Sequence, residues 1–364
     1  MKIFKNILKL TVTTLAAAAV LSACSDWTNP EPVDFHYVTI EEKNPELYAA
    51  YMQSLRDYRT SDHKIVIAKY DNRTGAPSGR ADHLICLPDS VDYIIFQNAA
   101  LVDDEYVKPE MQTARGQKGQ RILYEMDYAA MVAAHKEYKA AWDDAHQPAE
   151  GGEPSEEVAL EMDEFVSLAV EEEVKYLDTY GYDGVNIKAT FRNPSSCTAD
   201  QLEALKASQE AFLGGIAEMV KSHEGMLVFF EGTPQYLLCH NDIVENCDYI
   251  IVPAESASNS YECSYNLELL MSLGNLPTDR FVLGVTTKSL EDPSLKPGSF
   301  TGTDRNGNAK TAIIGGAEWV AAGNSDAIRA GICVNNAKND YFNLNKVYYN
   351  IREAISIMNP SPIK

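Results

Sequence analysis

Val174-Lys175-Tyr176-Leu177-Asp178-Thr179-Tyr180-Gly181-Tyr182 runs directly into Asp183-Gly184-Val185-Asn186-Ile187-Lys188-Ala189-Thr190, and this stretch decides the fold. Ahead of Gly181, apolar Val158, Met162, Phe165, Val166, Ala169 and Val170 recur at helical spacing among acids, which predicts a helix over 156–180. Beyond it, Gly184 to Ile187 is a short β-rich run. Helix, turn and strand together make one unit of an alternating pattern, and that pattern continues in both directions. Comparable runs occur at Lys64 to Tyr70, Tyr93 to Gln97, Arg121 to Glu125, Met226 to Glu231, Tyr249 to Pro253, Phe281 to Thr286 and Ala330 to Val334. A second clear helix, Gln201 to Ser222, carries Leu202, Leu205, Phe212, Leu213, Ile216, Met219 and Val220 on one side, with capping residues at Thr198-Ala199-Asp200. Eight strands alternating with helices predict an α/β protein built as a single (β/α)8 barrel. A doubly wound open sheet is the competing architecture. It calls for a Gly-rich phosphate loop after the first strand, where this chain has Lys69-Tyr70-Asp71-Asn72-Arg73.

Two features sit outside that frame. Asp143 to Glu157, with Pro148, Gly151, Gly152 and Pro154, has no apolar pattern and reads as an acidic, solvated insertion in the third βα unit. At the N-terminus, Lys2, Lys5 and Lys9 precede an apolar run from Leu10 to Val20, closed by Leu21-Ser22-Ala23-Cys24. A basic start, a short apolar stretch and small residues before a cleavage point mark a secretory signal, and the run falls short of the roughly 20 residues that span a bilayer. Leu-Ser-Ala-Cys resembles a lipobox, which implies lipidation of Cys24. The expected organisation is a signal peptide over 1–23, a lipidated cysteine and tether over 24–40 and a barrel over 41–364, exported and anchored by lipid to the cell envelope. The outer membrane of a Gram-negative bacterium is the expected location, with the facing side left open.

Composition limits the partners. Without Lys2, Lys5 and Lys9 the chain carries 28 basic residues against 53 acidic ones, a formal charge of −25. Such a surface repels phosphate backbones, so no nucleic-acid partner is expected. Cys86, Cys197, Cys239, Cys247, Cys263 and Cys333 remain beside Cys24, without a C-x-x-C pair. No metal or cofactor is therefore expected. One or two disulfides, with Cys239 and Cys247 closest in sequence, and buried free thiols both fit the count.

A barrel of this kind places its site at the C-terminal ends of its strands. The polar residues there are Gln97, Asn98, Glu125, Asp127, Asn186, Lys188, Glu231, Gln235, Glu255, Asn335 and Lys338, with Tyr70, Phe191, Tyr236, Tyr261 and Tyr341 as aromatic platforms. With 20 tyrosines in the chain, most must serve packing. Asn186 and Lys188 equally fit structural hydrogen bonds inside the barrel.

The stretch quoted first resembles the hallmark of glycoside hydrolase family 18, which holds chitinases and endo-β-N-acetylglucosaminidases. Its pattern is a helix, a Tyr-Gly-Tyr/Phe turn and D-G-x-D-x-D-x-E on the fourth strand of a TIM barrel. Asp183 and Gly184 match the opening pair, and Val185 and Ile187 the buried positions. Asn186 and Lys188 stand where the inner aspartates belong, and Thr190 where the catalytic glutamate belongs. The second strand Val91–Asn98, the sixth Cys247–Pro253, the seventh Phe281–Thr286 and the eighth Ala330–Asn336 resemble their counterparts, without the family's tyrosine after the sixth strand or its tryptophan in the eighth.

In that family the substrate's own N-acetyl oxygen attacks the anomeric carbon while the glutamate protonates the leaving oxygen. A threonine is far too weak an acid for this step, and a lysine at 188 would set positive charge beside a developing cation. The resemblance thus implies a catalytically inactive barrel that binds a glycan bearing N-acetylglucosamine, such as an N-glycan, alongside other glycan-uptake proteins. Its candidate contacts are Gln97, Glu125, Asp127, Asn186, Lys188, Glu231, Glu255 and Asn335. The alternative is a divergent glycosidase working through Glu231, Glu255, Glu125 or Asp127. A third reading is an assembly subunit with a vestigial cleft.

Overall fold

The computed structural model describes residues 39–146, 158–323 and 326–360. The expected signal peptide, Cys24 and the expected tether to residue 38 lie outside the described residues, as do positions 147–157 of the expected acidic insertion. No helix among the described residues is long and apolar enough to cross a membrane.

The described residues up to Glu46 belong to one unit, with the four-residue helix α1 (Ile40–Lys43) capped reciprocally by Thr39 and Glu42. Leu47 onward forms the other, a closed barrel of parallel strands. Around it run β1 (Ile65–Tyr70), β2 (Tyr93–Phe96), β3 (Arg121–Asp127), β4 (Gly184–Ala189), β5 (Leu227–Gly232), β6 (Tyr249–Pro253), β7 (Phe281–Thr286) and β10 (Arg329–Asn335), with β10 closing onto β1. All eight strands match the runs read from sequence, and the open-sheet alternative fails because no edge remains.

The helices are α2 (Pro45–Thr60), α3 (Val107–Gly116), α4 (Tyr128–Ala145), α5 (Met162–Glu173), α6 (Tyr176–Tyr180), α7 (Ala199–Ser222), α8 (Asn241–Asn246), α9 (Ser260–Met271), α10 (Ala312–Ala322) and α11 (Tyr349–Met358). Between β1 and β2 only two single 3-10 turns occur. Before α10 an exposed hairpin, β8 (Ser299–Thr303) with β9 (Ala309–Thr311), was not expected from its Ser/Thr/Gly-rich sequence.

Within the helix expected over 156–180, the described residues form two helices, and 158–161 ahead of them are not helical. Leu160 spends its carbonyl on His135 Nε2 and its amide on the Tyr138 hydroxyl, both from α4, so this segment is held out of the helix until α5 starts at Met162. The acidic insertion also starts later than expected, since Asp143 to Ala145 complete α4.

Parallel strands are covered on both faces, and alternation sorts their side chains into two cores. Val66, Ala68, Ile94, Ile122, Val185, Ile187, Phe230 and Val334 face the helices. Ile65, Ile67, Ile95, Leu123, Phe229, Ile251, Val282 and Cys333 fill the barrel's interior. The quoted turn is built by two glycines. Gly181 ends α6 in the left-handed region (φ 66°), letting Tyr182 N–H bond back to Leu177 O. Gly184 passes so close to β5 that a Cβ would collide with the Leu227 carbonyl.

A repeated tie fixes strand register at the barrel's N-terminal end. Asp92, just before β2, accepts the amide of Val66 on β1 at 2.8 Å; Asp183, before β4, accepts that of Ile122 on β3 at 2.8 Å; Asp248, before β6, accepts that of Val228 on β5 at 2.8 Å. Asp183 also receives Arg115 Nε at 2.7 Å and Arg121 Nη1 at 2.9 Å. The first residue of the quoted motif is therefore a structural anchor far along the strand from the mouth.

Candidate functional site

The inward positions of β1, β3, β4 and β5 turn polar together one layer above the apolar interior. Lys69 follows Ile65 and Ile67 on the inward face, Glu125 follows Leu123, Asn186 follows Gly184, and Glu231 follows Phe229. Their side chains form one network. The Lys69 ammonium, fully buried, lies 2.5 Å from Glu125 Oε2 and 2.6 Å from Glu231 Oε2. Asn186 Nδ2 donates to the same two oxygens at 3.1 and 2.9 Å. Lys188, one inward step further out and 36% exposed, approaches Glu125 Oε1 at 3.3 Å and Asp127 Oδ2 at 2.8 Å.

Burial alone would push the Lys69 ammonium down, but Glu231 and Glu125 more than offset it, and its pKa is raised. Lys188 behaves likewise, desolvation being outweighed chiefly by Glu125 and Asp127. Both lysines stay charged, and Glu125 and Glu231 serve as their counterions. Across the mouth, Glu255 accepts Asn335 Nδ2 at 2.7 Å. Desolvation first, then the charge of Glu231, raises its pKa.

A cavity of about 460 Å³ opens here, lined by Gln97, Lys188, Thr190, Glu231, Glu255, Thr286, Asn335 and Asn336 among others. No aromatic side chain among the described residues lines it. A second cavity, of about 430 Å³, shares Gln97 with the first and adds Glu125, Asp127, Phe165, Glu173 and Tyr176. Lys188, bonded to Glu125 and Asp127, reaches from the wall of the first toward the floor of the second. Burial, and then the charge of Asp127, lifts the Glu173 carboxyl to about 7.

Seven of the eight glycan-binding candidates line these two cavities, whereas Asn186 is fully buried and lines neither, and Asp127 and the other strand-end residues are engaged within the protein. Asp127 also caps α4, accepting the amides of Ala129 and Ala130. Asn98 is tied into the turn after β1 through Asp71 and Asn72. Lys338 pairs with Asp82, and Gln235 is buried away from both cavities.

The platforms fare worse. Tyr70 is 4% exposed with its hydroxyl on Asp82 O, Phe191 is buried against Tyr128, Tyr341 packs on Phe342 and Tyr348, and neither Tyr236 nor the exposed Tyr261 lines either mouth cavity. Of the two readings left open for the cysteines, free thiols hold: the six among the described residues are unpaired, and Cys247 is buried with its thiol donating to Val244 O.

Sequence reasoning passed over Lys69, Glu173 and Tyr176. Parity held the signal for Lys69, which shares its inward phase with Ile65 and Ile67. No comparable signal marks Glu173 and Tyr176, whose place depends on how α5 and α6 lie over β3.

A closed parallel barrel whose fourth strand follows Asp183, buries Asn186 in an ionic network and brings Lys188 and Thr190 to a polar mouth has the architecture of the sugar-processing TIM barrels. The model for "Glycoside hydrolase family 18, BT1044-like" matches residues 28–357, and the chain belongs to that family. A solved structure of a BT1044 variant superposes with a TM-score of 0.59 at 17% identity, over 89% of this chain and 96% of its own, which is agreement in fold. A chitinase from Bacteroides thetaiotaomicron (TM-score 0.46, 13% identity, 82% and 97% covered) and the chitinase ChiB from the chitin utilization locus of Flavobacterium johnsoniae (0.48, 11%, 81% and 95%) are more distant. No curated protein sequence matches the chain.

Proposed function

We propose that this chain is a glycan-binding member of family 18 that does not hydrolyse its ligand, held at the cell envelope, in the outer membrane, by lipid on Cys24. The observation that carries the reading is the occupancy of the fourth strand. Where an acid would have to stand, position 190 offers a hydroxyl, and position 188 offers an ammonium held by Glu125 and Asp127. An alcohol lies too far from neutral pH to protonate a leaving group, and loss of general-acid catalysis alone costs about 10²–10⁴-fold.

What remains suits a neutral, hydroxyl-rich ligand. Gln97, Asn335, Asn336, Thr286 and Thr190 supply donors and acceptors around the mouth, and Tyr176 supplies an aromatic face in the adjoining cavity. N-acetylglucosamine-containing glycans such as N-glycans are the proposed ligands, captured beside other uptake proteins. Calorimetry with N-glycans and chito-oligosaccharides tests the reading. Saturable binding without release of reducing sugar is expected, weakened in an Asn186→Ala, Lys188→Ala double variant. Absence of heat with every such glycan defeats the binding claim.

A second reading, hydrolysis through other carboxylates, is favoured by Glu255 alone. It lines the mouth, its pKa is raised, and Asn335 holds it in place. Glu125 and Glu231 offer it less, since the Lys69 ammonium bridges them and Asn186 Nδ2 donates to the same two oxygens, so neither is free to serve a substrate. Reducing-sugar release that disappears in Glu255→Gln would replace the first reading with this one.

A further inference from the structure

Outside the barrel mouth, one cluster of metal-binding side chains has no part in the proposed function. After β5 the chain makes a 3-10 turn at Pro234–Tyr236 and reaches Cys239 and His240 just before α8. Glu210 faces them from α7. One ligand atom from each of Glu210, Cys239 and His240 lies within 4.8 Å of the others. His240 Nε2 is 3.0 Å from Glu210 Oε2.

The loop carrying the pair is held from within the protein. Gln209, fully buried beside Glu210, donates from Nε2 to Tyr236 O at 3.0 Å and accepts the Leu238 amide at 2.7 Å. The residue next to the carboxylate therefore positions the backbone that presents the thiol and the imidazole. His240 adopts the left-handed region (φ 54°), which turns its ring toward α7.

We propose that Glu210, Cys239 and His240 bind one zinc-class divalent cation. A thiolate, an imidazole and a carboxylate are the donor types zinc accepts, and three protein ligands leave a fourth tetrahedral position for water. The softness of the thiolate excludes magnesium and calcium, which take oxygen ligands. The Cys239 thiol must give up its proton to solvent as the metal enters. Binding therefore strengthens as pH rises. The cation would tie the β5–α8 connection to α7 on the barrel's flank and hold the strand that delivers Glu231.

The test is a titration of the full-length, chelator-stripped, reduced protein with Co(II), followed by its thiolate charge-transfer band in the near ultraviolet. One equivalent is expected to raise the band, and Zn(II) to abolish it by displacement. Cys239→Ser should lose the band. His240→Ala should retain a weaker one, with affinity reduced by more than the roughly 10–100-fold that an outer-shell change costs. Zn(II) should also raise the melting temperature of the wild type and not that of His240→Ala, with far-UV circular dichroism confirming that each variant is folded. The proposal is overturned by no band at several-fold excess of Co(II). It is equally overturned by a band that persists in Cys239→Ser, which would assign the metal to another of the chain's thiols.

Discussion

The two halves of the barrel's interior, stacked along the same strands, are built on opposite principles. Toward the N-terminal ends, Ile67, Ile95, Leu123, Phe229, Ile251 and Val282 interdigitate as an apolar plug. One inward step later, Lys69, Glu125, Asn186 and Glu231 form a dry ionic network. The lower layer is stable whatever its partners do. The upper layer is stable only while its charges balance, because a buried charge without its partner is among the costliest defects a protein can carry. A barrel freed of chemistry and of ligand would be expected to fill its upper layer as it filled the lower one. Paired charge set beneath an open mouth is the arrangement that the proposed binding function calls for.

The sharpest way to break this contrast is Lys69→Met. It removes the one cation shared by two buried carboxylates and should cost about 3–5 kcal/mol, read as a lower urea midpoint with unchanged m-value. Adding Glu125→Gln and Glu231→Gln should restore most of the loss, since the uncompensated charge goes with them. A single variant as stable as wild type would mean that the network is not dry. In the lower layer, Leu123→Ala should cost about 2–5 kcal/mol through cavity formation and leave glycan affinity unchanged. A large affinity loss there would show that the two layers are mechanically coupled.

These layers were unequally legible in the sequence. All eight strands could be read because a parallel strand covered on both faces is apolar throughout, and such runs are conspicuous. The quoted motif located the fourth strand from Gly181 and Gly184, whose turn and close approach leave little choice of residue. Lys69 was passed over although it lies inside the run from Lys64 to Tyr70: an apolar run marks a strand without saying which face each residue takes, and only the inward phase shared with Ile65 and Ile67 exposes this lysine as interior. Asp183 invited the opposite error, since a motif aspartate suggests chemistry and this one ties β4 to β3. The aromatic platforms failed because sequence gives a tyrosine's place on the chain but not what covers it.

A smaller effect separates the mouth from the cavity beside it. Glu173 has its pKa raised from 4.5 to about 7, first by burial and then by Asp127. For an acid raised on folding, the folded state binds the proton more tightly. Its contribution is fully present below about pH 4.5 and is lost as pH rises through about 7. Glu173→Gln should flatten the fall in stability across that window by about 1–3 kcal/mol, measured as the difference between the two proteins' pH–stability curves. A slope unchanged by the substitution would place Glu173 in water.

The smallest stability effect, and the most telling about function, is expected at Lys188. Its ammonium is 36% exposed, so its bridges to Glu125 and Asp127 are screened in a way those of Lys69 are not, and Lys188→Met should cost no more than about 1 kcal/mol. The Lys69 clamp still neutralises Glu125 without it. If the two cavities act as one glycan cleft with Lys188 in the wall between them, the same substitution should alter affinity for extended oligosaccharides more than for a single N-acetylglucosamine. Equal changes for both would confine the ligand to the mouth, and no change for either would move it off the fourth strand, leaving Lys188 as nothing more than the outermost charge of the network beneath it.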